Sequence, residues 1–272
     1  MEIRYTNEET VKIGSSVGAK HFNMSYLEIH SFYEVYYLMS GERKYFIEDT
    51  IYKVEEGDVV IVPPNVIHRS LGEGDGRYSR ILVGVPTQVF EPEMISEFES
   101  ALNGYILNIP PKHRKFFEQI LEKAEYEYGK KDSYSEYLIN NLVNEMLIFL
   151  IRVNKGMEFQ PSGIESDRLI SRAAQFIRQN YELPLTLDDV AGEINMSRTY
   201  FSKLFKRKTG VGFSDYLTVV RITEAAHLLA ETDSDITSVA TRCGYSDSAY
   251  FAAVFKKIKG VTPVKYRKAS RI

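Results

Sequence analysis

Tyr200–Tyr216, YFSKLFKRKTGVGFSDY, and Tyr250–Tyr266, YFAAVFKKIKGVTPVKY, are two versions of one unit. At an offset of 50, Tyr200, Phe201, Phe205, Lys206, Gly210, Val211 and Tyr216 match Tyr250, Phe251, Phe255, Lys256, Gly260, Val261 and Tyr266. Upstream, Val190-Ala191 matches Val239-Ala240 at an offset of 49, so the second unit has one extra residue between its two helices. A repeat of this kind is one supersecondary element used twice.

Each unit reads as a helix-turn-helix. Ala191 and Ala240 are small enough for a second helix to approach closely, and four residues on stand Asn195 and Gly244. Those residue types tolerate the left-handed backbone that ends a helix and turns the chain. Ser197 stands where a second helix needs its N-cap. Thr186 with Asp189 has the spacing of a capping box for the first. Gly210 and Gly260 close the second helices, and Thr262-Pro263 opens one more. Ile222, Ala225, Ala226 and Leu229 form the apolar stripe of a helix connecting the units.

Phe201, Leu204, Phe205, Phe251, Val254 and Phe255 belong to the core. The opposite face of the helix from 197 to 208 carries Arg198, Thr199, Ser202, Lys203, Lys206 and Arg207. Arg, Lys and small hydroxyls on a free helix face suit a major groove, where early residues reach base edges and cations neutralise phosphates. A merely solvated face has a similar composition; the duplicated turn weighs against it. Charge follows the same division. Residues 166–272 contain 17 Lys/Arg and 11 Asp/Glu, whereas residues 1–165 contain 17 and 26. A basic C-terminal part on an acidic N-terminal part points to a polyanionic partner for the former alone.

With its turn residues and core positions, the stretch from about 167 to 267 resembles the DNA-binding domain of AraC-type (AraC/XylS) transcription regulators. The resemblance rests on Leu185-Thr186-Leu187, Val190-Ala191, Tyr200-Phe201-Ser202, Leu204-Phe205-Lys206, Thr209-Gly210, Arg221-Ile222, Gly244-Tyr245, Tyr250-Phe251, Phe255-Lys256-Lys257, Thr262-Pro263 and Tyr266-Arg267. It implies seven helices, with two recognition helices entering successive major grooves of double-stranded DNA ~34 Å apart. One departure stands out: where the family carries a basic residue, this chain has Ala252-Ala253, and with Ser248 and Ala249 the second recognition face is small and nearly uncharged. Alanine touches a thymine methyl but cannot grip guanine. Direct readout is therefore expected mainly from Arg198, Thr199, Ser202 and Lys203, with Lys206 and Arg207 beside them and Lys256 and Lys257 on phosphates.

Moving towards the N-terminus, 156–165 (GMEFQPSGIE) reads as a linker. A helix near 135–153 carries Leu138, Leu142, Met146 and Phe149, with Ile139, Val143 and Ile148 on adjoining faces, and so must bury two sides. Phe117, Ile120, Leu121, Ala124 and Tyr128 mark one face of a helix before it. The first ~85 residues read as strands: Phe32 to Met39, Lys44 to Ile47, Val59 to Val62 and Ile81 to Val85, with Gly-rich turns between them, as in a sandwich or barrel.

Glu28 to His68 resembles the cupin-like sensing domain that often precedes this DNA-binding domain, through His30, Phe32-Tyr33-Glu34, Gly41, Gly57-Asp58, Pro63-Pro64 and His68. The fold implied is a double-sheet barrel with a ligand cavity. By strand parity Glu28 and His30 share a face, as do Glu34, Tyr36 and Leu38. If both point inward, Glu28, His30, Glu34, Tyr36 and His68 are the effector-binding candidates. Two imidazoles and two carboxylates are plausible ligands for zinc, iron or manganese, and serve equally as hydrogen-bonding groups for a sugar or another polar effector. The family's enzymes often have two histidines where this chain has Glu28 and His30. His21, His113 and His227 belong to no constellation.

The expected organisation is a two-domain chain: a cupin-like effector-binding barrel at 1–110, a helical dimerisation and connector segment at 111–155, the linker at 156–165 and an all-α double helix-turn-helix domain at 166–272. The expected function is a transcription regulator, activator or repressor, that binds DNA, a small-molecule effector (a carbohydrate is one candidate), a second copy of itself and RNA polymerase. No catalysis, cofactor or resident metal is expected. The competing readings are a cupin metalloenzyme with a DNA-binding module and a regulator that responds to no ligand. The lone Cys243 excludes a disulfide framework, and with the charged N-terminus suggests a cytoplasmic protein. No run of ~18 apolar residues is present, so no membrane partner is expected.

Overall fold

A computed structural model of the chain describes residues 3–19, 24, 27–72, 76–90, 92–101, 104–155 and 165–270. Among these residues ten strands come first: β1 (Ile3–Thr6), β2 (Lys12–Ala19), β3 (Leu27–His30), β4 (Phe32–Ser40), β5 (Glu42–Ile47), β6 (Thr50–Glu55), β7 (Asp58–Val62), β8 (His68–Leu71), β9 (Arg77–Pro86) and, after helix α1 (Pro92–Ala101), β10 (Ile106–Asn108). Helices α2 (Pro111–Lys130) and α3 (Ser135–Asn154) follow. The C-terminal part comprises α4 (Glu165–Gln179), α5 (Leu187–Glu193), α6 (Arg198–Thr209), α7 (Phe213–Glu231), α8 (Ile236–Arg242), α9 (Ser248–Lys259) and α10 (Pro263–Ala269).

The strands form two sheets, ordered β1-β3-β8-β5-β6 and β10-β7-β4-β9-β2. Their side chains alternate strictly, and the alternation builds the molecule in layers. On the second sheet, Tyr33, Val35 and Tyr37 of β4, Val59 and Ile61 of β7 and Ile81 and Val83 of β9 point outward and are covered by α1, α2 and α3. Their neighbours Tyr36, Leu38, Val60, Val62 and Tyr78 point into the barrel. On the first sheet, Tyr45, Ile47 and Val54 point inward. Leu27, Ile29, Phe46, Ile51 and Leu71 point the other way and join the core of the helix-turn-helix domain. Parity makes this possible: register pairs Glu28 and Ile47 with His68, and Phe46 with Arg69.

The sequence leaves open which side of α3 faces inward. In α3, Ile139, Val143, Met146, Leu147, Leu150 and Ile151 are buried on the barrel, whereas Leu138 is 45% exposed and Ile148 37% exposed. In α2 the expected face holds: Phe117, Ile120, Leu121 and Ala124 are buried. Sequence reading stops its strands near Val85 and misses α1 and β10. The first spans only ten residues, with Met94, Ile95 and Phe98 as its apolar face, and the second only three. All but the last residue of the expected linker, and His21, lie outside the described residues. His227 is exposed, His113 sits beside the Phe149 ring, and Cys243 is buried.

Candidate functional site

The turn chemistry of the helix-turn-helix units is as the residues dictate. The Thr186 side chain and Asp189 form a reciprocal capping box at α5. Ser197 accepts from the Tyr200 N–H at the start of α6, and Asp247 caps α9 by accepting from the Ala249 and Tyr250 N–H groups at 2.7 and 3.1 Å. Asn195 and Gly244 both have φ above zero, at 55° and 75°. These turns set α6 against α5 and α9 against α8.

With the apolar faces of α6 and α9 buried through Phe201, Leu204, Phe205, Phe251 and Phe255, their other faces are free. Arg198, Thr199, Ser202, Lys203, Lys206 and Arg207 are all exposed, as are Ser248, Ala249, Lys256 and Lys257. Arg198 is partnered by Asp188 at 3.0 Å. Basic residues crowd the last turns of both helices, where they also complement the helix dipole. Tyr200 and Tyr250, at equivalent repeat positions, are 57% and 62% exposed. Sequence reasoning passes them over because the aromatic repeat looks like a core signature.

Inside the barrel, β3, β4 and β8 bring His30, Glu34 and His68 together, with one potential ligand atom from each lying within 4.8 Å of the others. The His30 ring bonds the Phe32 carbonyl through Nδ1 at 2.7 Å, and His68 bonds the Val66 carbonyl through Nδ1 at 3.1 Å. A carbonyl only accepts, so both Nδ1 atoms carry the proton and both Nε2 atoms present lone pairs. Each Nε2 lies 3.9 Å from a Glu34 oxygen, beyond hydrogen-bond reach, and is buried without a hydrogen-bond partner among the described residues. Burial drives the Glu34 carboxyl up to about 7, against the neighbouring Arg80 charge and the Tyr45 hydroxyl. Burial, and then His68, drives His30 down to about 2. His68 is also lowered by burial, against the pull of Glu28. The core of the cluster is thus two neutral imidazoles presenting acceptor nitrogens and one carboxyl that donates when protonated and accepts when ionised; in its ionised form the set suits a divalent cation.

Of the five expected effector residues, Glu28 lies at the cluster's edge, half-buried and electrostatically coupled to Glu34 and His68. Tyr36 is fully buried next along β4, its hydroxyl without a hydrogen-bond partner among the described residues. The interior also holds groups the sequence reading omits. Arg80 of β9 stacks over the Tyr36 ring at 5.2 Å, Arg43 of β5 over Tyr78 at 4.3 Å, and the Tyr45 hydroxyl lies 3.5 Å from Glu34. Strand parity is the signal that finds them, since Arg43 and Tyr45 alternate with Phe46 in one strand.

A family model described as an AraC-like ligand binding domain matches residues 13–134, and one described as a helix-turn-helix domain matches residues 190–269. The chain belongs to the AraC-type transcription regulators. Among AraC-type relatives, the HTH-type transcriptional activator RhaR of Mannheimia succiniciproducens is 26% identical, over 93% of this chain and 91% of its own. The Msm operon regulatory protein of Streptococcus mutans is 22% identical, over 87% of this chain and 84% of its own. The solved C-terminal domain of AraT, a response regulator from Geobacillus stearothermophilus, is 36% identical, covering 40% of this chain and 91% of that one with a TM-score of 0.38. These AraC-type relatives carry regulatory rather than enzymatic names. Among the described residues no helix is long and apolar enough to cross a membrane.

Proposed function

We propose that this AraC-type chain binds double-stranded DNA sequence-specifically through α6 and α9 and is controlled by a small polar effector in the barrel. The observation that carries the reading is the paired arrangement of exposed polar recognition faces and a barrel interior that holds the His30 and His68 Nε2 atoms together with the guanidinium groups of Arg43 and Arg80. The first unit, through Arg198, Thr199, Ser202 and Lys203, reads bases; Lys256 and Lys257 hold phosphates. Acceptors at Glu28, Glu34, His30 and His68 with donors at Arg80 and Tyr36 suit a polyhydroxylated molecule such as a carbohydrate. Fluorescence anisotropy with duplex DNA at rising salt tests the reader, and the absence of salt-sensitive binding refutes it. A thermal-shift screen of sugars and related metabolites tests the effector; no stabilising compound means a regulator without a ligand.

The protein acts as a homodimer in this reading. Support comes from Phe116, Tyr126, Tyr137 and Leu138, which leave a 45–74% exposed apolar surface on α2 and α3, beside a groove of about 290 Å³. Transcription then rises through contact with RNA polymerase, as the name of its RhaR relatives, transcriptional activators, suggests.

A second reading is favoured by one observation, the two proton-free Nε2 atoms of His30 and His68 facing the Glu34 carboxyl. With both Nδ1 protons bound to backbone carbonyls, as metal-bound histidines commonly are, these three residues would hold a divalent transition ion, which would supply Lewis acidity. Elemental analysis of protein purified without chelators decides it. Less than stoichiometric metal excludes both a resident ion and the metalloenzyme alternative.

A further inference from the structure

The β1-β3-β8-β5-β6 sheet is a wall one strand thick between the barrel cluster and the DNA-binding domain. Going along β8, His68 enters the cluster, the Arg69 side chain lies against Gly210 at the end of α6, Ser70 accepts from Arg43 inside the barrel, and Leu71 joins the helical core. Several bonds cross the wall's outer face. Arg178 of α4 pairs with Glu48 at 2.7 Å, the Ile51 N–H donates to the Ser171 hydroxyl at 3.2 Å, the Tyr216 hydroxyl of α7 donates to the Glu48 carbonyl, and the Tyr216 ring packs edge-on against Phe46.

Asn65, in the turn between β7 and β8 and three residues before His68, joins the two sides. Its backbone N–H donates to the His30 carbonyl at 2.7 Å. Its side-chain oxygen accepts from Lys259 Nζ at 2.9 Å. Lys259 is the last residue of the second recognition helix and is only 3% exposed. The turn is therefore tied to the cluster by its backbone and to the reader by its side chain, with φ at 64° holding it in the left-handed region.

We propose that Asn65 is the positioning residue through which the state of the His30–Glu34–His68 cluster controls docking of the DNA-binding domain, and that the docked form binds DNA more weakly. The inference rests on the proposed reading of α6 and α9 as the DNA reader and of the barrel as the effector site. Docking withdraws Lys259 from the cation row it shares with Lys256 and Lys257, and a phosphate left without its cation weakens binding. It also holds an acidic body, 26 Asp/Glu against 17 Lys/Arg over residues 1–165, beside the basic reader. Movement of the cluster shifts the turn, and only a difference in stability between docked and free forms is then needed to change affinity.

The test uses the full chain, a mixed-sequence fluorescein-labelled duplex and low salt. Asn65→Gly keeps the positive φ and removes the carboxamide; Tyr216→Phe removes the hydroxyl that reaches Glu48. Neither changes charge, and circular dichroism checks that each folds. Both are expected to tighten DNA binding at least about fivefold and to enlarge the radius of gyration in solution scattering, whereas a merely structural defect loosens binding. Glu34→Gln is expected to change affinity at least about threefold in the wild-type background and not in Asn65→Gly, as a coupled pair requires. Unchanged affinity in Asn65→Gly, no effect of Glu34→Gln, or an equal effect of Glu34→Gln in both backgrounds overturns the proposal while leaving the DNA reader standing. No salt-sensitive DNA binding by any variant removes the reader assignment, and this proposal with it.

Discussion

The rings of His30 and His68 meet edge to face, 4.7 Å between centroids, and each gives its Nδ1 proton to a backbone carbonyl two residues away. Two imidazoles so close and so buried stay neutral together, because protonating either places a charge in a dry interior beside the other.

Acid sensitivity follows for the metal-free protein in chelator. Both histidines are depressed in the fold, so below their ordinary value of 6.5 the unfolded chain binds two protons that the fold resists. Glu34 works the other way: raised from 4.5 to about 7, it gives the fold one extra proton between those values. Below pH 6.5 the two histidines therefore favour unfolding as the pH falls, and the raised Glu34 carboxyl offsets part of that effect down to 4.5. Urea unfolding across pH should show this slope, and a His30→Gln, His68→Gln double variant should lose it. Equal slopes in the two proteins would refute the assignment of neutral imidazoles.

Lys203 and Lys257 should separate in DNA-binding measurements. Lys203→Ala is expected to flatten the preference among duplex sequences selected by the wild-type protein. Lys257→Ala should weaken all duplexes alike and reduce the salt slope by about 1. Ala253 is exposed on the nearly uncharged second recognition face, and Ala253→Arg should raise affinity on most DNA with a steeper salt slope.

Asp247 should matter more than Ser197 as a cap. It accepts two N–H bonds at 2.7 and 3.1 Å, whereas Ser197 accepts one at 3.4 Å. Asp247→Ala is expected to cost about 1–2 kcal/mol in denaturant unfolding and Ser197→Ala less. The loss at Asp247 falls on the first turn of α9 and so should also weaken DNA binding.

Leu138→Glu tests the self-association surface without touching either core, since its side chain is 45% exposed. Sedimentation should show the dimer dissociating at concentrations where the wild-type chain remains paired. An unchanged mass distribution would move the interface elsewhere.

Local chemistry makes much of this legible. Asn195, Gly244, Thr186 and Ser197 announce their turns and caps because each acts within four residues of itself. Parity places Glu34 and Tyr36 in the barrel because alternation along a strand has only two outcomes. The docking of the reader is invisible in the sequence: Lys259 and Asn65, Arg178 and Glu48, and Tyr216 and Phe46 are far apart along the chain and obey no period. Each looks like an ordinary surface or core residue until the two partners meet. The inward face of α3 escapes for a related reason, since apolar residues surround that helix and periodicity alone does not say which side meets the barrel.

The alternation along β5 and β8 carries a consequence for how this chain can vary. Tyr45 and Phe46, or His68 and Arg69, are adjacent residues serving opposite sides of one ribbon. Inserting or deleting a single residue there would turn over every later side chain of the strand, sending chamber-facing groups into the helical seam and seam groups into the chamber. These strands can be retuned one substitution at a time, but their length is frozen, and any variation in length must be confined to the hairpin tips.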